Sequence, residues 1–245
     1  MHKTPSSTKS GDFLFRWRSY LPLLLILVLL PHLDEHNRIA SPLYHAEFET
    51  LCLAVSSFGL LIRAMTVGFV PSGTSGRNTK DQIADSLNTT GIYSITRNPL
   101  YLGNFFMMLG VVMFCGSWSA TLIFILAFWL YYERIIHAEE RFLYGKFGEQ
   151  YTNYIKAVPA FIPNFSLWVK PKMKFSLRTV LRREYSSFFA MIASFYALEF
   201  FGDLFSNQSV EFEPLWTILF ASSAVLYLTL RTLKKKTRLL DVQGR

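Results

Sequence analysis

Charge is what this sequence has least of. Only 17% of its 245 residues are Asp, Glu, Lys or Arg, against roughly 25% in soluble domains. That scarcity excludes a chain that spends its surface on water. Cysteine is almost absent as well. Cys52 and Cys115 both fall inside apolar runs, which excludes a disulfide framework and any metal-ligand spacing. They read as small apolar side chains in helices. Acidic residues are the scarcer sign, 17 against 25 Lys plus Arg, a net charge of +8. No zinc spacing and no aromatic–basic module accompanies that charge, so nucleic acid is not the expected partner. A small-x-small cleavage site is also missing after the first apolar run. Pro31-His32-Leu33-Asp34-Glu35 stands there instead, so the run reads as an uncleaved helix and not a signal peptide.

What the chain does have is apolar length. Six runs approach or exceed what a bilayer crossing needs, about 20 residues: 15–31, 48–70, 99–117, 118–137, 187–205 and 214–233. Basic residues then sort between the loops. The N-terminal arm carries Lys3, Lys9, Arg16 and Arg18, and the loop after the second run carries Arg77, Lys80 and Arg97. Residues 138–186 hold nine Lys/Arg and the tail from Arg231 holds six. The intervening loops hold only Arg38, or none and two glutamates, Glu211 and Glu213. This is a positive-inside pattern with both termini cytoplasmic. The expected fold is an all-α polytopic membrane protein of about six transmembrane helices.

The third and fourth runs are separated by little more than Gly116-Ser117-Trp118-Ser119, which predicts a tight antiparallel hairpin. The hairpin brings Arg97–Gly103 beside Arg134–Glu140, on the cytoplasmic side. Polar residues this dense beside apolar helices are costly unless they line a cavity or bind something.

In the first segment, Thr96-Arg97-Asn98-Pro99-Leu100-Tyr101-Leu102-Gly103, Asn98 suits an N-cap and Pro99 the first helical position. Gly103 permits close approach of a backbone or ligand. Arg97 at a helix N-terminus makes a corner for a carboxylate or phosphate. In the second segment, Glu133, His137, Glu140 and Tyr144 share one helix face, and Glu139 points about 100° from Glu140. Glutamates at a helix C-terminus oppose its dipole. They face either a cationic or hydroxyl-bearing ligand, or solvent with Arg141 or Lys146 as partners. Tyr144-Gly145-Lys146-Phe147-Gly148, followed by Tyr151 and Tyr154, suits a flat ring under an amphipathic lid, or aromatic anchoring at the interface.

Arg63 lies in mid-span, where a charge is expensive. It serves an anionic substrate group, or an internal carboxylate such as Glu199. Thr74-Ser75-Gly76-Arg77-Asn78 offers hydroxyls, backbone N–H groups and a guanidinium to an anionic lipid. His32, Asp34, Glu35 and His36 are metal-ligand types but read as a polar outer turn, so no metal site is expected. Segment 170–186 reads as a basic juxtamembrane stretch on an anionic leaflet.

The ordered combination Arg97-Asn98-Pro99-Leu100-Tyr101-Leu102-Gly103, then Glu139-Glu140 with Leu143, Phe147-Gly148, Tyr151 and Tyr154, then Val158-Pro159 and Ile162-Pro163, resembles the isoprenylcysteine carboxyl methyltransferase and phospholipid methyltransferase superfamily. The likeness runs from Thr90 to Asn164. Where that family usually has histidine, this chain has Asn98. The resemblance implies an integral-membrane, S-adenosylmethionine-dependent methyltransferase, with a cytoplasmic cofactor-binding segment after the fourth helix. It implies that Arg97, Asn98, Tyr101 and Gly103 lie at the cofactor, that Glu139 and Glu140 hold its ammonium or ribose hydroxyls with His137 nearby, and that Tyr93, Tyr151 and Pro159 wall the pocket. Arg134 and Glu140 are the implied catalytic residues, Arg134 orienting an anionic acceptor. Arg63 and Arg77 are the candidate substrate residues.

The chain then divides into residues 1–89, two helices and a polar loop; 90–165, the methyltransferase core; and 166–245, a basic linker and two accessory helices. The partner is a membrane lipid or lipidated substrate, and the expected location is a bacterial inner membrane. Two other functions fit parts of the pattern: an NADPH-dependent membrane reductase of the sterol type, and a non-enzymatic transporter or scaffold.

Overall fold

The computed structural model describes residues 42–71, 73–74, 84–207 and 213–245. The first apolar run, the His32–His36 group and Arg77 lie outside these residues. Six α-helices are described, with two short 3-10 turns at Ile92–Ser94 and Phe165–Leu167: α1 Pro42–Val67, α2 Pro99–Met113, α3 Trp118–Phe147, α4 Glu149–Ala157, α5 Leu177–Asn207 and α6 Pro214–Lys236. Among the described residues there is no β-strand, only an isolated antiparallel bridge between Gly91 and Val169. The all-α expectation holds.

Four helices are long and apolar enough to cross a membrane: Ala46–Val67, Trp118–Phe147, Leu177–Leu204 and Pro214–Lys236. Their outward residues are apolar, as lipid requires: Leu122, Leu126 and Leu130 on α3, and Leu215, Ile218, Val225 and Leu228 on α6 are all exposed. The expected third span is shorter than its apolar run. α2 has 15 residues, about 22 Å at 1.5 Å per residue, against a hydrocarbon core of about 30 Å. The helix ends at Met113 because the chain must turn back within four residues. Gly116 adopts a positive φ of 71° there, and the Ser117 hydroxyl caps α3 by accepting from the Ala120 N–H. The predicted hairpin is present.

α1 and α2 pack through small residues. A Cβ on Gly103 would lie 2.5 Å from Arg63 Cγ and 2.8 Å from the Gly59 carbonyl oxygen. One on Gly110 would lie 2.8 Å from the Ser56 nitrogen. Ser56 Oγ donates to the Met107 carbonyl at 2.8 Å. Small residues that let helix backbones touch are a usual means of association where lipid removes the hydrophobic drive. The close approach that Gly103 permits is therefore that of another helix.

The core beneath is aromatic. Phe114, Phe195 and Trp216, from α2's end, α5 and α6, pack with ring centroids 5.1–5.3 Å apart. Cys52 and Cys115 are buried and unbridged there. Trp216 Nε1 donates to Glu49 at 3.3 Å. Carboxylate oxygens of Glu49, Glu199 and Glu213 gather within 4.8 Å of one another. That group sits at the start of α1 and α6 and the end of α5, the end of the bundle away from Arg97.

α3 runs unbroken for 30 residues and carries Glu139, Glu140 and Tyr144 beyond the apolar part. Gly148 then turns the chain with φ 51°, a conformation that costs glycine little. The short amphipathic α4 follows, burying Tyr151 and Tyr154. α5 begins at Leu177, so the second half of the basic stretch 170–186 is helical.

Candidate active site

Segment 91–98 is fastened along residues 154–169. Gly91 N–H donates to the Val169 carbonyl at 2.8 Å, Arg97 N–H to Pro159 at 2.9 Å, and Asn164 N–H to Ile95 at 2.9 Å. Tyr154 Oη donates to the Tyr93 carbonyl at 2.7 Å. The Thr96 hydroxyl donates to the Phe161 carbonyl at 3.1 Å. Phe161 then packs edge-on to Trp129, 4.9 Å between centroids. This returns the chain to the apolar face of α3. The backbone groups of a loop beside a membrane are satisfied by each other, and the start of α2 is held rigidly against the end of α3.

Two polar contacts cross between those helix ends. Tyr101 Oη donates to Glu139 Oε1 at 2.7 Å, across 38 residues of sequence. Arg97 Nη2 lies 2.9 Å from Glu140 Oε1. Arg97 Nη1 also donates to the carbonyls of Ile155, at 2.8 Å, and Val158, at 3.2 Å. These are C-terminal carbonyls of α4, whose dipole end favours a cation. Arg97 is thus shared between a carboxylate and a helix terminus, and is not an open anion corner. The Arg97–Glu140 contact is out of hydrogen-bond alignment: Arg97 Nε and Glu140 Oε1 are buried without a hydrogen-bond partner among the described residues. Buried polar atoms left in this state call for an explanation.

Asn98 occupies the N-cap position of α2, with Pro99 at the first helical position, but its side chain does not cap. Its Nδ2 donates to the Ala160 carbonyl at 2.9 Å. On α3, His137 lies 3.5 Å from Glu133 and 3.9 Å from Glu140, as the shared helix face requires. Arg134 is exposed on the same stretch. Glu140 meets Arg97, and not Arg141 or Lys146. Tyr151 is buried under this group. Burial pushes its hydroxyl pKa up, and the Glu140 charge adds to the shift. Tyr154 is raised in the same direction by burial. Neither phenol ionises at neutral pH.

The structure therefore assembles Arg97, Asn98, Tyr101, His137, Glu139, Glu140 and Tyr151, with Tyr93 joined through its backbone. Gly103 lies one helix turn further in, against α1. Arg63 stands apart. Its Nε and Nη2 each donate to a Glu184 oxygen at 2.8 Å, and its Nη1 to Asn104 Oδ1 at 2.6 Å. The internal carboxylate is thus Glu184 of α5 and not Glu199. Asn104 Nδ2 continues to Tyr132 Oη at 3.3 Å, and the Tyr132 ring packs 4.8 Å from that of Tyr101. Asn104, Tyr132 and Glu184 are polar groups that the sequence reading passed over. Their signal was polarity within apolar helices.

The family model "Phospholipid methyltransferase" matches residues 51–150. The chain is 34% identical over 122 residues to a Protein-S-isoprenylcysteine O-methyltransferase of Schizosaccharomyces pombe, covering 47% of this chain and about half, 50%, of that protein. It is 32% identical over 172 residues to the Cobalt-zinc-cadmium resistance protein CzcN of Cupriavidus metallidurans, covering 68% of this chain and 73% of that one. With Protein-S-isoprenylcysteine O-methyltransferase B of Arabidopsis thaliana it shares 37% identity over 78 residues, 31% of this chain and 39% of that protein. No solved structure matches. The chain belongs to the isoprenylcysteine carboxyl methyltransferase and phospholipid methyltransferase superfamily.

Proposed function

We propose that this chain is an S-adenosylmethionine-dependent methyltransferase acting at the cytoplasmic membrane face on a lipid or lipidated acceptor, with a carboxylate, phosphate or amine as the reacting group. One observation carries this reading: Arg97 and Tyr101 from one segment meet Glu139 and Glu140 from another at the polar end of two apolar helices. The methyltransferase core is assigned to residues 90–165, between 1–89 and the accessory part 166–245. Counting α2 and the apolar run 15–31, which lies outside the described residues, the proposed membrane spans number six, with both termini on the cytoplasmic side of a bacterial inner membrane.

The residues present fit the cofactor. It offers an ammonium, a carboxylate, ribose hydroxyls and a flat base. The centre offers two carboxylates, a guanidinium, an amide and three tyrosines, and leaves Glu140 Oε1 and Arg97 Nε without hydrogen bonds. When bound, the cofactor supplies an electrophilic methyl group carried on a sulfonium. Glu139 and Glu140 accept hydrogen bonds from its ammonium or hydroxyls. Arg97 holds Glu140 in place and keeps α4 closed over the site. Asn98 fixes the segment 159–161, and Tyr93, Tyr101, Tyr151 and Pro159 wall the pocket. Gly103 acts from behind, by letting α1 close on α2.

Arg134 orients an anionic acceptor by charge. Alignment in a dry site then supplies most of the rate. An amine acceptor needs a base, for which His137, Glu139 and Glu140 are the candidates. Arg77 remains the proposed acceptor-side cation of the loop. Its replacement by Ala should raise the apparent KM for the acceptor and leave that for the cofactor unchanged; an unchanged acceptor KM removes the role.

Membranes containing the protein are incubated with methyl-labelled S-adenosylmethionine. Label should enter the lipid or lipidated-protein fraction and be lost in Glu140→Ala. Lability to mild base separates a methyl ester from an N-methyl group. Label in no fraction, with no cofactor binding, overturns the proposal.

A further inference from the structure

Between α4 and α5, outside every candidate span, the chain turns a row of large apolar side chains outward. Ile162, Phe165, Trp168, Val169 and Phe175 are all exposed, Ile162 by 78% and Phe165 by 75%. Apolar residues scattered singly over a surface need no account. Five large ones within residues 162–175 do.

A loose chain does not explain them, because the segment is fastened along its length. Asn164 N–H donates to the Ile95 carbonyl, and Asn164 Oδ1 accepts from the Ser166 N–H at 3.2 Å. These bonds hold the 3-10 turn Phe165–Leu167. Residues three apart eclipse in such a turn, so Phe165 and Trp168 stand on one side. Val169 donates its N–H to the Ser94 hydroxyl at 2.9 Å and takes the Gly91 N–H on its carbonyl. Ser176 N–H donates to the Gly68 carbonyl at 3.0 Å. The backbone is bonded to the protein, and the apolar side chains point away from it.

Two observations say what covers them. The first is continuity with the lipid-facing surface. Phe161, next to Ile162, packs on Trp129, and Trp129 is exposed on the face of α3 that carries Leu122, Leu126 and Leu130. Trp129 precedes Arg134 by five residues, about 7.5 Å along the helix, at the edge of the apolar part. The segment leaves the bundle at the level where aromatic side chains meet headgroups. The second observation is charge. Lys170, Lys172 and Lys174 are exposed and alternate with the half-buried Pro171 and Met173. No Asp or Glu occurs in the sequence between Glu149 and Glu184. An aromatic and apolar edge continued by lysines suits the surface of an anionic membrane.

We propose that residues 162–175 form an interfacial anchor. Ile162, Phe165, Trp168 and Val169 enter the boundary of headgroups and acyl chains in the leaflet on the Arg97 side. Lys170, Lys172 and Lys174 lie against its anionic phospholipid headgroups. Carbonyls just before the anchor, in 159–161, accept from the Arg97 N–H, the Asn98 amide and the Thr96 hydroxyl. The anchor therefore holds the Arg97–Glu140 centre at the level of the bilayer surface. That this brings the centre to a lipid-borne acceptor rests on the function proposed above; the anchor itself does not.

Nitroxide labels at Ile162→Cys, at Phe165→Cys, and at Asn153→Cys on the exposed side of α4 are compared in the full chain in nanodiscs. Cys52 and Cys115 are buried, so the unsubstituted chain gives the background. Relaxation by oxygen, which concentrates in lipid, is measured against relaxation by a nickel chelate, which stays in water. In discs of phosphatidylglycerol and phosphatidylcholine, oxygen should outweigh the chelate at positions 162 and 165, and the order should reverse at 153. Omitting phosphatidylglycerol, or adding Lys170→Gln, Lys172→Gln and Lys174→Gln together, should shift both anchor labels toward the chelate. Chelate dominance at 162 and 165 in the anionic discs overturns the proposal. A depth that ignores both changes of charge overturns it too, since the lysines then have no part. Shielding from both reagents, with spin–spin broadening between copies, would put a second chain on this face and overturn it equally. Both labelled anchor residues are exposed, so either carries the test if the other variant does not fold. The measurement needs neither cofactor nor turnover, so its failure and that of the methyltransferase reading are separate results.

Discussion

Two arginines divide the molecule. Arg63 and Arg97 are both largely buried, with side chains 10% and 15% exposed, and each meets a glutamate at 2.8–2.9 Å. Their settings differ. Each of the three Arg63 nitrogens donates an aligned hydrogen bond, two to the Glu184 oxygens and one to the Asn104 amide oxygen, binding α1, α2 and α5 into one unit. Arg97 is divided among one carboxylate and two carbonyls, and its Nε and the facing Glu140 oxygen are left without hydrogen bonds. The first pair ties the bundle together, and the proposal is that the second, at a polar helix end, receives a ligand. Burial and pairing alone do not tell these roles apart; the variants below do.

The largest effect is expected at the structural pair. Glu184→Ala leaves the Arg63 charge buried without its carboxylate and should cost about 3–5 kcal/mol, read as a lower Tm in detergent. Joint replacement of Arg63 and Glu184 by apolar residues should recover most of that loss. A Glu184→Ala protein of unchanged Tm but raised acceptor KM would break the comparison and return Arg63 to the substrate.

A smaller effect is expected at the proposed cofactor centre. Tyr101→Phe removes the hydroxyl that donates to Glu139 and should weaken cofactor binding about tenfold, with little change in Tm. The opposite pattern, unchanged binding and a lower Tm, would place Tyr101 with the structural group.

The smallest effect is on alkaline stability. The hydroxyl pKa of Tyr151 is raised in the folded protein from its ordinary 10.0. Above pH 10 the unfolded chain gives up this proton and the folded one keeps it, so stability falls as pH rises through that range. Tyr151→Phe should flatten the fall, as followed by Tm between pH 9 and about 11. An identical alkaline slope would remove Tyr151 from the account.

Much of this was legible from residue order. The four-residue connection foretold the hairpin, and helical spacing placed Glu133, His137 and Glu140 on one face. The paired segments that carry the family resemblance do meet. The rest depended on tertiary contacts that local patterns do not encode. Asn98 has the right residue type and position for a cap, yet its amide serves a carbonyl 62 residues away. Gly103 signals close approach, but not whether a ligand or a helix comes close. Glu184 was passed over as Arg63's partner because the basic stretch before Ser187 looked like a linker; α5 in fact starts ten residues earlier.

The central claim is that the Arg97–Glu140 centre receives the cofactor while the Arg63–Glu184 pair does not. Calorimetric titration of the purified protein with S-adenosylmethionine tests it most directly, comparing wild type, Glu140→Gln and the apolar Arg63/Glu184 double variant. The account predicts saturable binding by the wild type, near-equal binding by the folded double variant, and a loss of about tenfold or more in Glu140→Gln. Unchanged affinity in Glu140→Gln, or a selective loss in the double variant, would contradict it.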